Sequence, residues 1–231
     1  MSEKQPQAPV EQQDVLFRLQ QFWQKNQKSL LIGIVAVVVA VGGYWAYGEY
    51  LVKPKEEKAA DAIYKAQQYF AQDSLRKALD GDGSAKGFLY VIKEFSGTKT
   101  ANLAKYYAGL CHLKLGEFDK AIQQLKDFST DSKLIQLMAY GALGDALAEA
   151  DKKKEAVDAY KKAASTFPED EYNSAEYLFR AALLLEVLGD NKQALALHKE
   201  VKEKYPKTDK GIQADKYIYR LSVEPNEFSV K

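Results

Sequence analysis

The segment YGALGDALAEADKKKEAVDAY, residues 140–160, decides the fold of this 231-residue chain. Within it Gly144 lies twelve residues before Ala156. Two similar segments, YYAGLCHLKLGEFDKAIQQL from residue 106 and LFRAALLLEVLGDNKQALALH from residue 178, have a small residue at the same distance before an alanine. The three alanines stand at 121, 156 and 194, which are 35 and 38 residues apart. A period in this range indicates stacked helix pairs, each too small to bury its apolar face alone.

Packing explains the rest of the pattern in residues 140–168. A small residue allows two helices to approach closely, large residues fill the gaps around it, and a proline ends the second helix. The large, small and closing residues are Tyr140, Leu143, Gly144, Leu147, Ala156, Tyr160, Ala163 and Pro168. This pattern resembles the tetratricopeptide repeat family, and the resemblance implies an α-solenoid that binds other proteins.

The resemblance extends over about four helix pairs. The pair around residue 121 has Lys105 at the large apolar position and lacks the closing proline. A degenerate first unit covers residues 58–96, with helices predicted over 59–71 and 84–95 and with Gly81 and Gly83 in an enlarged turn. Residues 207–221 are predicted to form a polar capping helix that closes the array.

Two short motifs also indicate where helices begin. FSGTKTANLA from residue 95 and YPKTDKGIQA from residue 205 are 110 residues apart and similar. In each, a threonine follows an aromatic residue by three positions, which predicts Thr98 and Thr208 as helix N-caps. The predicted fold is therefore all-α: a single N-terminal transmembrane helix, about four helix pairs and a C-terminal capping helix.

The predicted membrane span is SLLIGIVAVVVAVGGYWAYG, residues 29–48, which contains no charged residue. A helix of this length crosses roughly 30 Å, the thickness of the hydrocarbon core of a bilayer. Tyr44, Trp45 and Tyr47 cluster at one end, as aromatic residues do at the headgroup level. A cleaved signal peptide is the alternative, because Ala46-Tyr47-Gly48 has the form of a cleavage site. The long preceding segment favours an uncleaved anchor.

The segments around the span complete the domain organisation. Residues 1–28 are predicted as a short tail with an amphipathic helix from residue 10, which either lies in the membrane interface or extends the membrane helix. Residues 49–58 are predicted as a charged linker, and 59–231 as the repeat domain. Arg18, Lys25 and Lys28 precede the span and favour a cytoplasmic N-terminus, although basic residues are nearly balanced on the two sides.

Composition and motifs argue against chemistry in the repeat domain. With 33 basic and 32 acidic residues the chain has no electrostatic footprint for nucleic acid. His112 and His198 are expected to pack within repeat helices, and Cys111 to be a buried structural thiol. The segment from Asp80 resembles the start of a calcium loop but has Val91 where the loop needs a glutamate. We expect no enzyme activity, cofactor, metal or small-molecule substrate.

The resemblance also implies a binding groove lined by the first helix of each pair. Carried over by position, it consists of apolar residues and acids: Leu103, Tyr106, Leu110, Leu113, Met138, Asp145, Glu149, Phe179, Leu183 and Glu186. Leu103 and Leu183 could equally belong to the core. The family's clamp for C-terminal carboxylates requires asparagines where Leu110, Asp145 and Leu183 stand, so the clamp is absent.

The order of tail, span, linker and repeats resembles the single-span, periplasm-facing tetratricopeptide proteins that serve as ancillary subunits of the bacterial Sec translocon. That resemblance implies a scaffold or chaperone-like module, tethered to the inner membrane with its C-terminal domain in the periplasm. Its implied partners are envelope proteins, including the translocon and envelope chaperones, and membrane lipid through the anchor. The alternative is a cytosol-facing docking or import receptor with the same repeat domain in reversed orientation.

Overall fold

The computed structural model describes residues 10–223, except for the side chains at 10–16, 19 and 30. This range contains no β-strand, only an isolated bridge between Gly81 and Lys86. The α-helices are α1 Val10–Tyr47, α2 Lys53–Ala71, α3 Leu75–Asp80, α4 Phe88–Glu94, α5 Lys99–Lys114, α6 Phe118–Lys126, α7 Lys133–Glu149, α8 Lys153–Thr166, α9 Glu171–Val187, α10 Asn191–Lys204 and α11 Asp209–Ser222. A π-helical turn, Gly48–Val52, lies between α1 and α2. The chain forms two compact units that divide after Pro54.

The N-terminal unit is built on α1, a single helix of 38 residues. It contains both the predicted amphipathic segment and most of the predicted span, with no break between them. Its large aliphatic side chains from Leu31 to Val41 are exposed, from 54% at Val35 to 70% at Ile32. By length and composition, this is the one helical run in residues 10–223 that could cross a membrane.

Residues 49–58, predicted as a linker, are helical instead. The π-helical turn leads directly into α2, which begins at Lys53. Pro54 lacks an amide hydrogen and its ring crowds the preceding turn of a regular helix. A wider turn directly before a proline relieves that crowding, so the proline does not end the helical segment.

Four equivalent turns set the helix pairs of the second unit. Each turn has one residue in the left-handed region: Asp73 at φ 55°, Gly116 at 74°, Asp151 at 58° and Gly189 at 79°. The amide after each such residue donates to a carbonyl five positions back, as in the 2.8 Å bond from Lys152 to Leu147. These turns join α2 to α3, α5 to α6, α7 to α8 and α9 to α10, which confirms the predicted repeat.

The first pair differs from the prediction in where its extra residues lie. The turn after α2 is the ordinary one at Asp73, and the insertion breaks the second helix into α3 and α4. Gly81 and Gly83 lie in this insertion with φ of 88° and 91°, which only glycine adopts readily. The predicted helix over 84–95 is therefore shorter, and α3 is not among the predicted helices.

The core follows the repeat positions. Ala121, Ala156 and Ala194 are completely buried where paired helices meet. Thr98 and Thr208 are N-caps as predicted, each accepting a 3.0 Å hydrogen bond, from the amides of Ala101 and Gly211. Helix α11 packs against α9 and α10 at the end of the described array, in the place predicted for the capping helix, but it is not wholly polar on its outer side, because Ile212 and Tyr219 are exposed.

Candidate protein-binding surface

Small residues on the first helices bring paired helices into direct contact. A Cβ atom at Gly109 would lie 2.6 Å from Leu125 of α6, and one at Gly144 would lie 2.5 Å from the Tyr160 ring of α8. These distances are far below normal contact. The rigid pairs α5–α6, α7–α8 and α9–α10 that result hold the first helices in fixed positions for binding.

The ten predicted groove residues all lie on first helices, but they differ in exposure. Met138 is 43% exposed and Glu149 is also exposed. The half-buried ones, most of them packed against the core, are Leu103, Leu110, Leu113, Asp145, Leu183 and Glu186. Leu134, four residues before Met138 and also 43% exposed, belongs to the same face of α7. Leu134 is not among the predicted groove residues, although its four-residue spacing from Met138 is visible in the sequence.

Two predicted groove residues belong to the core. Phe179 is 2% exposed and packs edge-to-face against His198 and Tyr217, with ring centroids 5.0 and 4.9 Å apart. Tyr106 is 8% exposed and lies 5.3 Å from the Phe128 ring. At these exposures neither side chain is available to a partner.

Asp145 belongs to an ion-pair network that crosses from α7 to α11. Its Oδ1 accepts hydrogen bonds of 2.7 Å from Tyr160 Oη and from Arg180 Nη1. Arg180 Nε also donates to Glu176, which pairs with Lys210 of α11 at 3.3 Å. Burial raises the pKa of Glu176, but the hydrogen bond from Arg180 and the nearby positive charges outweigh it and lower that pKa.

Glu186 is neutralised in a similar way at the C-terminal end of the array. Its carboxylate accepts from Arg220 of α11 and from His198 Nε2, the latter at 2.9 Å. His198 is completely buried, and desolvation lowers its pKa despite the facing carboxylate. The neutral ring donates through Nε2 and leaves Nδ1 without a proton or a partner.

Two of the three acids among the predicted groove residues are therefore already paired with cations of this chain, and they give the groove no preference for cationic ligands. Asp145 and Glu186 already face Arg180 and Arg220, and Glu149 is the acid of that set without such a pair in residues 10–223. The pairing of Asp145 with Arg180 could have been expected from the sequence, because Arg180 stands about one repeat after Asp145. What remains on the first helices is apolar surface with nearly balanced charge.

The other chemically suggestive residues have structural environments. Cys111 is fully buried, and desolvation raises the pKa of its thiol to about 12. His112 Nδ1 lies 2.7 Å from Glu117 across the turn between α5 and α6. Asp82 binds the amide of Ala85 at 2.7 Å and organises its own loop. Within residues 10–223, no group of His, Cys, Asp or Glu side chains is arranged to hold a metal ion.

Comparison with known families agrees with this architecture. A model described as a tetratricopeptide repeat-like domain matches residues 20–139, and a tetratricopeptide repeat model matches 142–170 and 176–208. The chain belongs to the tetratricopeptide repeat family. Its repeat domain is accordingly a protein–protein interaction scaffold. No curated protein matches the chain.

Proposed function

We propose that the chain is a membrane-tethered interaction scaffold or chaperone-like module of the bacterial cell envelope. In this proposal residues 29–48 cross the inner membrane with the N-terminus in the cytoplasm and the repeat domain in the periplasm. The module acts beside the Sec translocon, on proteins that cross or enter the membrane, together with envelope chaperones. The single observation that carries the proposal is an exposed apolar helix in the same chain as an interaction domain.

The exposure of α1 supports a membrane environment. A soluble protein rarely leaves a large contiguous apolar surface in water. Ile32, Val35 and Val39 are each more than half exposed. No residue in the most apolar part of this helix is buried by the rest of the protein. A bilayer would cover these side chains on all sides, whereas a soluble partner would cover one face.

The extent of the family match supports a functional connection between anchor and repeats. The tetratricopeptide repeat-like match begins at residue 20 and ends at 139, so it includes the apolar helix together with the first two helix pairs. An apolar segment that is part of the domain pattern is better explained as a permanent element than as a removed signal. Residues 29–48 are therefore proposed as a permanent anchor.

The proposed binding surface consists of Leu103, Leu110, Leu113, Leu134, Met138 and Leu183 on the first helices. These side chains are half-buried or exposed. The charges of Asp145 and Arg180 on the same set of helices are already paired with each other. A surface of this kind suits apolar segments of incompletely folded chains, because burial of apolar area is non-directional and tolerates varied sequences. Met138 adds an adaptable side chain of the type found on promiscuous binding surfaces.

Membrane attachment and orientation can be tested in one experiment. Membranes from cells expressing the full-length chain are washed with carbonate, and spheroplasts are treated with protease. We expect the chain to resist extraction and its repeat domain to be digested from the periplasmic side. Complete extraction, or a mature form that starts near Glu49, would refute the anchor. Protection of the repeat domain would favour the cytosol-facing docking receptor.

The binding surface is tested by photo-crosslinking in cells. A photoreactive residue is introduced at Met138 or Leu110, and at Glu155 as a control on a second helix, where the side chain is 56% exposed. We expect adducts with envelope proteins at 138 and 110 in excess over 155. Equal adduct yields at the three positions would show that partners bind elsewhere.

A further inference from the structure

Helix α11 carries two large exposed apolar side chains on one face. Ile212 is 66% exposed and Tyr219 is 70% exposed, and they stand seven residues apart. Two turns of a helix separate such positions, so the side chains point in nearly the same direction. Asp215 and Lys216, both exposed, lie between them. We call Ile212, Asp215, Lys216 and Tyr219 the α11 face.

Comparison with α5 shows why this face is unusual. Both helices begin with the same capping geometry, in which a threonine hydroxyl also donates to an aromatic residue's carbonyl, at 2.8 Å for Thr98 and 2.9 Å for Thr208. Shifting by 110 residues aligns the α11 face with Asn102, Lys105, Tyr106 and Gly109 of α5. On α5, Asn102 and Lys105 donate to carbonyls of residues 129 and 127, and Gly109 meets Leu125.

Helix α11 therefore resembles the first helix of a pair whose second helix is absent from the described chain. An ordinary second helix does not fit there, however. Helix α6 can approach α5 closely because Gly109 has no side chain. The equivalent position on α11 holds the large side chain of Tyr219. A partner for this face needs a space for the tyrosine ring beside an apolar contact.

The α11 face is complementary to itself. If two α11 helices pack antiparallel with the twofold axis between residues 215 and 216, Ile212 lies opposite Tyr219 of the second copy. The same axis brings Asp215 opposite Lys216. In an isologous contact both copies use the same surface. If one residue contacts a second residue of the other copy, that second residue contacts the first in return.

We propose that the α11 face is a self-association surface through which two copies of this chain pair antiparallel. Apolar contacts lie at the two ends of the face and two opposite-charge pairs lie at its centre. Asp215 also pairs with Lys202 of its own chain, but its side chain remains 61% exposed and can accept a second cation. Tyrosine suits such a site because its ring packs while its hydroxyl stays hydrated.

The test uses the full-length chain in mild detergent and disulfide formation at single introduced cysteines. Lys216→Cys places thiols next to the proposed axis; it removes the two central charge pairs, so the apolar contacts of Ile212 with Tyr219 hold the copies together until the disulfide forms. Gln213→Cys on the same helix lies about 100° around from Ile212 and is the control. Native Cys111 is fully buried and does not interfere. We expect mild oxidation to give mostly linked dimer from Lys216→Cys and at least fivefold less from Gln213→Cys. Equal yields, or no dimer, would overturn the proposal.

Charge substitutions provide the second arm. Ile212→Lys or Tyr219→Glu, each in the Lys216→Cys background, should abolish most of the crosslinked dimer. The double substitution should recover it, because the introduced lysine and glutamate face each other across the axis. Both positions are exposed, so thermal melting should confirm that the variants are folded. Crosslinking that persists in both single variants would contradict antiparallel pairing at this face.

Discussion

Asp145 on α7 and Arg180 on α9 form an ion pair at 2.7 Å that joins two consecutive helix pairs. The same carboxylate oxygen accepts from Tyr160, on the second helix of its own pair, also at 2.7 Å. One acidic side chain therefore links three helices. Stacked repeats are stabilised through contacts between neighbours, and this pair is one such contact on the first-helix side of the array.

We expect Asp145 and Arg180 to be energetically coupled. Their side chains are 34% and 41% exposed, so solvent screens part of the attraction. Alanine substitutions at each position and at both should give a coupling energy of about 1 kcal/mol in thermal or urea unfolding. Asp119 and Lys152, an exposed pair at 2.8 Å, provide the control with a smaller coupling. Additive effects at Asp145 and Arg180 would show that the pair does not link the repeats.

Ala156→Leu should destabilise the domain by about 1–3 kcal/mol, because Ala156 is completely buried where α8 meets its neighbours. Glu155→Leu alters an adjacent exposed residue and should change the unfolding free energy by no more than about 0.5 kcal/mol. Melting of the full-length chain measures both. Equal shifts for the two variants would contradict the burial of Ala156.

The turn between α9 and α10 should depend on Gly189. Its φ is 79°, and an L-residue in the left-handed region costs roughly 1 kcal/mol. Gly189→Ala is therefore expected to lower the unfolding free energy by about that amount. At the equivalent position Asp151 already tolerates φ 58°, so Asp151→Gly should not destabilise. Urea midpoints of the two variants provide the measurement, and a neutral Gly189→Ala would contradict the expected strain.

His198 should make stability depend on pH. Desolvation lowers its pKa in the folded chain below the ordinary value near 6.5, so the unfolded state binds the proton more readily. The contribution of the neutral ring is fully present above pH 6.5 and is lost as the pH falls toward the folded pKa. His198→Phe keeps an aromatic ring at a position where the neighbouring repeat has Tyr160.

Melting temperatures of the wild type and His198→Phe, compared at pH 7.5 and 5.5, measure this effect. The wild type should lose more stability than the variant over that interval. His112→Gln serves as the control. It removes the other of the two histidines, which lies near Glu117, and leaves His198 in place. An identical pH dependence of the wild type and His198→Phe would show that the buried histidine is not responsible.

The amino-acid sequence by itself determined the helix-pair period, the buried alanines and the two threonine N-caps. These features depend on contacts within one repeat or between neighbouring repeats, and closely packed helix pairs require small residues at a fixed spacing. Asp151 shows the limit of that reasoning. It stands at the turn position that glycine fills at residues 116 and 189. Only the structure shows that its backbone is left-handed as well.

Only the tertiary structure decided which first-helix residues are accessible. Phe179 and Leu183 stand four residues apart on one helix, yet Phe179 is buried by Tyr217 of the capping helix while Leu183 remains half-buried at the surface. Likewise, Asp145 and Glu186 were acids in the sequence and became paired charges once α9 and α11 brought Arg180 and Arg220 beside them. Periodicity fixes the side of a helix on which a residue lies, but the neighbouring helix determines what covers it.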